Sequence, residues 1–139
     1  MNSKQIGILG EKIASKYLQN KGYQILDKNY SSKFVSGPNT GEIDIVAKKK
    51  DVISFVEVKT LSQINRALPP VYQGDPASLI EPEEKVNFQK QRKIIKTAES
   101  WLMAKKIPLD AKWQIDVISI KIDLADKKAK IRHFKNTAC

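Results

Sequence analysis

Two runs rich in β-branched residues, Glu42–Ala47 (EIDIVA) and Val52–Lys59 (VISFVEVK), are joined only by Lys48 to Asp51, and so short a link dictates an antiparallel hairpin. If Lys50 and Asp51 form a two-residue turn, Lys49 opposes Val52 and Asp44 lies opposite Glu57. Opposed residues share a face, with Cβ atoms ~4.5–5.5 Å apart. Two carboxylates so placed repel each other unless a cation lies between them. Lys59 stands two residues beyond Glu57 and points to the same face, preceded there by Ile53 and Phe55. The strand is therefore apolar through its body and charged near its end, where a site at the rim of a sheet would lie. A turn displaced by one residue breaks the Asp44–Glu57 match. An ion pair between Lys59 and one of the acids, at a frayed strand end, accounts for the same residues without any chemistry.

The rest of the chain supplies what such a hairpin packs against. Ile6, Leu9, Ile13 and Tyr17 recur at helical spacing and predict a helix over residues 3–21, stopped by Gly22. Residues 23–30 suit a strand, and SSKFVSGPNTG after it is turn-rich. Residues 61–83 hold Pro69, Pro70, Gly74, Pro76 and Pro82 with no steady period, and read as one long irregular loop. Glu81-Pro82-Glu83-Glu84 opens a second helix running to Lys105 and Lys106, with Pro108 beyond its end. WQIDVISIKI (113–122) is a further strand and AKIRHF (129–134) a short edge strand. The order predicts a single α/β domain over 1–139: consecutive short-linked strands pair antiparallel, the strand after the helix pairs parallel, and helices flank the resulting mixed sheet.

Charge narrows the class of partner. The formal net charge is +10, yet residues 41–83 carry seven acids against five bases, inside flanks that are strongly basic. A basic body around an acidic centre suits a molecule that holds phosphates while its centre holds a cation. Lys90, Lys93 and Lys96 form one stripe of the second helix, with Arg92 beside it, and could follow a phosphate backbone; a solvated face opposite Ile94, Ala98 and Trp101 is the plainer account. Trp101 and Trp113 are expected in packing, not as base-stacking platforms. His133 has no partner that the sequence can name. With Cys139 the sole cysteine, neither an intrachain disulfide nor a cysteine metal cluster forms. No run approaches the ~20 apolar residues of a membrane span, and charges interrupt the N-terminal segment, so the expected compartment is the cytosol.

GEIDIVA followed by FVEVKT resembles the PD-(D/E)XK nuclease signature. Together with GEKIASKYLQNKGYQIL, KVNFQKQRKIIKTAESWL and QIDVISI in that order, the chain is similar to the bacterial YraN family, itself similar to archaeal Holliday-junction resolvases. The resemblance covers most of the chain. It implies a restriction-endonuclease-like fold and Mg²⁺- or Mn²⁺-dependent cleavage of DNA, with branched DNA and a homodimer as further expectations. It implies metal ligation by Asp44, Glu57 and the main-chain carbonyl of Val58, a water-orienting and charge-stabilising role for Lys59, and a helix-borne acid at Glu11. The sequence departs from the pattern at Ile43, where the motif has proline, and at Gln114, where the family often has arginine. The alternative is a nucleic-acid-binding protein on the same fold that does not turn substrate over.

Overall fold

In the computed structural model, residues 2–32, 41–62 and 88–137 are described, residues 88–90 through their backbone alone. Helix α1 (Ser3–Asn20) is followed by strands β1 (Gln24–Ser31), β2 (Glu42–Lys49) and β3 (Val52–Ser62), helix α2 (Phe88–Ala104), and strands β4 (Trp113–Asp123) and β5 (Lys128–Phe134). The strands form one sheet in sequence order. β3 and β4 pair parallel, and every other neighbouring pair is antiparallel. This mixed sheet with its helices is the α/β architecture expected, and it accords with a restriction-endonuclease-like fold.

Local chemistry fixes the ends of α1. Asn2 accepts from the Gln5 amide at 2.8 Å while the Gln5 side chain accepts from the Asn2 amide at 2.9 Å, a reciprocal cap for two orphan donors. At the other end Gly22 takes a left-handed φ of 94°. Its N–H then reaches Gln19 and that of Tyr23 reaches Leu18, closing the helix by a Schellman motif.

The two helices define two cores on opposite faces of the sheet. Ala14 and Leu18 of α1 pack with Ile45, Ala47, Val56, Ile118 and Ile120. Ile94, Ala98, Trp101 and Leu102 of α2 pack with Val46, Ile53, Phe55 and Ile115. Trp101 and Trp113 both meet Phe55 edge-on at 5.6 Å, the packing role expected of them. The Trp101 indole also donates to Asp27 of β1 at 3.0 Å.

Two glycines let the helices come close. A Cβ on Gly10 would collide with the side chain of Thr60, so α1 rests directly on the far end of β3. A Cβ on Gly41 would lie 2.5 Å from the Thr97 hydroxyl and 2.9 Å from the Lys93 carbonyl, so α2 presses on the start of β2.

One boundary is corrected. The long irregular loop does not begin at residue 61: Leu61 and Ser62 continue β3, held by parallel pairing with Lys121 and Ile122 of β4. Long-range pairing of this kind leaves no mark in local composition. The turn-rich segment 33–40, loop residues 63–83, the Glu81–Glu84 helix start and Cys139 lie outside the described residues.

Candidate active site

The hairpin register is the one the turn arithmetic gives. Lys49 pairs with Val52, Lys48 with Ile53, and so on to Ile45 with Val56. The ladder ends there, one step short of Asp44 and Glu57. Instead of facing Glu57 across a regular pair, the Asp44 carboxylate accepts a 2.7 Å hydrogen bond from the Val58 amide. Lys50 turns the chain with a positive φ of 56°.

Around Asp44 the structure gathers the acids. Burial pushes its carboxyl up to about 7; the Val58 N–H pulls down, while Glu11, Glu57 and Glu42 push it up further. Glu11, carried to the sheet rim by the Gly10–Thr60 contact, is itself held above the usual carboxylate range by burial and by Glu42, against a hydrogen bond from Asn29 and the charge of Lys28. Glu57 is buried and forms a 2.9 Å ion pair with Lys59. The structure thus brings Glu11, Asp44, Glu57, Val58 and Lys59 into one neighbourhood, and it also contains the ion pair that the plainer account requires. Among the described residues no three His, Cys, Asp or Glu side chains converge as a ready-made metal cage.

The α2 stripe is less complete. Lys93 is half-buried and Arg92 and Lys96 are exposed; the Lys90 side chain lies outside the described residues. The Gly41 contact sets the Lys93 turn of α2 against the chain entering Glu42.

Sequence reasoning missed two features. Glu42 joins the acids, and its spacing of two from Asp44 already placed it on the same side of β2. The other is a buried polar knot on the α1 face. Asp116, fully buried in β4, accepts from His133 Nε2 at 2.8 Å, from the Asn136 amide at 3.0 Å and from the Gln114 side chain at 3.0 Å. Tyr17 contacts the other ring nitrogen of His133 at 3.4 Å. Burial alone would raise the Asp116 carboxyl; these donors outweigh it and hold it below the usual range. An acid in the apolar run WQIDVISI was the legible signal that such donors must exist. Gln114 supplies one of them.

With this geometry in place the comparison with known sequences is direct. Residues 10–120 match the uncharacterised protein family UPF0102. The chain belongs to that family. A UPF0102 protein of Alkaliphilus oremlandii is 38% identical over 134 residues, covering 96% of this chain and 97% of that relative. One from Clostridium botulinum is 37% identical over 134 residues, covering 96% and 94%. One from Caldanaerobacter subterraneus is 42% identical over 102 residues, covering 73% and 68%. The UPF0102 match runs from the middle of α1 through most of β4, and so includes Glu11, Glu42, Asp44, Glu57 and Lys59. Among the described residues no helix is long and apolar enough to cross a membrane.

Proposed function

We propose that the chain is a metal-dependent nuclease acting on phosphodiester bonds of DNA, with structured or branched DNA as its substrate class. The observation that carries this reading is Asp44: a half-buried carboxyl raised to about 7, by desolvation first and then by the field of Glu11, Glu57 and Glu42. Concentrated negative charge of that kind is unfavourable alone and is relieved by a hard cation with oxygen ligands. Asp44, Glu57 and the Val58 carbonyl are the ligands that fit Mg²⁺ or Mn²⁺. Such an ion supplies Lewis-acid polarisation of the scissile phosphate.

The chain's own residues would do the rest. Lys59, held by Glu57 at 2.9 Å, would place its ammonium where the phosphoryl group gains charge. Glu11 and Glu42 deepen the negative field that attracts the cation, and the amide of Val58 fixes the Asp44 carboxylate. Arg92, Lys93 and Lys90 on α2 would hold phosphates away from the reacting one.

The Glu57–Lys59 ion pair favours one competing reading, a nucleic-acid-binding protein whose acid and lysine neutralise each other and do no chemistry. Incubation with linear, single-stranded, flap and four-way DNA in Mg²⁺ or Mn²⁺ separates the two. The nuclease reading expects cleavage that Asp44→Ala abolishes and a melting temperature that Mn²⁺ raises in wild type but scarcely in Asp44→Asn. Binding without cleavage in either metal, or equal Mn²⁺ shifts in wild type and variant, supports the binding protein.

A further inference from the structure

At the opposite end of the hairpin from Asp44, a cavity of about 250 Å³ opens beneath the turn. Lys50 lies six positions beyond Asp44, along β2 and into its turn, which at ~3.3 Å per residue puts the cavity roughly 20 Å from the acids. Its walls come from places distant in sequence: Lys49 from the end of β2, Lys50 from the β2–β3 turn, Lys135 from the segment after β5, Tyr23 from the link between α1 and β1, and Ser54 and Gln114 from adjacent strands. Ser54 and Gln114 are paired across β3 and β4, and Ser54 is only 1% exposed, so the cavity reaches into the sheet.

Charge decides what it can hold. Three lysines line the cavity, Lys49 half-buried and Lys50 and Lys135 on its exposed side, and their positive charge favours an anion. The acid on the wall, Asp51, is drawn to Lys112 at 3.0 Å, a lysine outside the cavity. Among the described residues neither Lys50 nor Lys135 forms an ion pair. Lys49 is steadied over the Tyr23 ring at 5.3 Å, which fixes one cation at the mouth. The hydroxyls of Ser54 and Tyr23 add neutral donors. Size narrows the choice further, because the volume falls below the ~300–1,000 Å³ typical of sites for drug-sized ligands. A tetrahedral oxyanion with little attached to it fits.

We propose that this cavity is a binding site for a phosphate group, separate from the acids around Asp44. The group is either free phosphate or the terminal phosphate of a nucleic-acid strand, and the chemistry of recognition is the same. The site stands whether or not Asp44 takes part in cleavage.

The test is a titration followed by amide NMR, in the presence of a chelator so that no divalent ion links the two sites. Inorganic phosphate is expected to give saturable shifts at Tyr23, Ser54 and Gln114 and none around Asp44 and Lys59. The double variant Lys50→Asn, Lys135→Gln is expected to weaken binding by about tenfold or more, the scale of losing charge-assisted hydrogen bonds; asparagine tolerates the positive φ at residue 50. Lys135→Arg, which keeps the charge, retains binding. Displacement of phosphate by a 5′-phosphorylated oligonucleotide but not by its unphosphorylated twin assigns the site to strand ends; displacement by neither assigns it to free phosphate. Shifts that do not saturate, that spread over exposed lysines elsewhere, or that persist unchanged in the double variant overturn the proposal. A folded, unaltered amide spectrum of the double variant before titration guards against loss of structure.

Discussion

At the scale of single residues, Asp44 sets a sign that stability measurements can read. Its folded-state carboxyl is raised to about 7, so the fold prefers it protonated. As pH climbs from below the unfolded value near ~3.9 to above 7, the native state binds protons that the unfolded chain has given up, and stability is lost. Asp44→Asn keeps an acceptor for the Val58 amide and removes the charge. In chelator, it should exceed wild type in stability at pH 8 by on the order of 2–4 kcal/mol, with the gap closing below pH ~4. Denaturant titrations at the two pH values check this, and a gap that is the same at both would assign the effect to packing. Lys59 carries a second prediction. Lys59→Ala removes the 2.9 Å partner of a buried Glu57, so the metal-free protein should melt lower while its Mn²⁺ increment grows. Cleavage should fall by ~10²-fold or more while DNA affinity is nearly kept. Equal cleavage by wild type and Lys59→Ala places the chemistry elsewhere.

Between residues and the whole lie the elements, and here the sequence was most informative. The β2–β3 register followed from a two-residue turn and needed no knowledge of distant contacts, and the C-terminus of α1 followed from Gly22. The end of β3 and the partners of Asp116 did not, because parallel pairing and buried donors come from segments far along the chain. Glu11 is intermediate: its helical position put it at the border of the apolar face, but only the close contact at Gly10 brings it to the acids. That contact is testable. Gly10→Ala forces α1 away from Thr60 and should cost about 1–3 kcal/mol, the range for overpacking, and should lessen the Mn²⁺ increment. Wild-type stability in Gly10→Ala would mean that α1 has room to spare. On α2, Lys90→Ala with Lys93→Ala should weaken binding to all duplex sequences about equally and lower the salt slope by up to ~0.9 per lost phosphate contact. An unchanged slope assigns the stripe to a solvated face.

For the whole molecule, the Asp116 knot ties β4, β5 and α1 together through His133, Tyr17 and Asn136. Because the Asp116 carboxyl is held below its usual range, its contribution is present above the unfolded value near ~3.9 and is lost as pH falls through the lower folded one. His133→Phe removes one donor to a fully buried carboxylate and should cost about 1–3 kcal/mol or more near pH 6, with the deficit shrinking in acid as Asp116 protonates. The sheet also has an order in time. β2 and β3 pair across one turn, whereas β4 reaches β3 in a register such as Ile53 with Trp113, so that pairing must first close a much longer stretch of chain. Hairpins form in about 1–10 μs, and wide loop closure exacts its entropy before any contact rewards it. Asp44, Glu57 and Lys59 all lie on that hairpin, so the two carboxylates would be brought near each other before the sheet is finished. A divalent ion present from the start should therefore quicken refolding as well as slow unfolding.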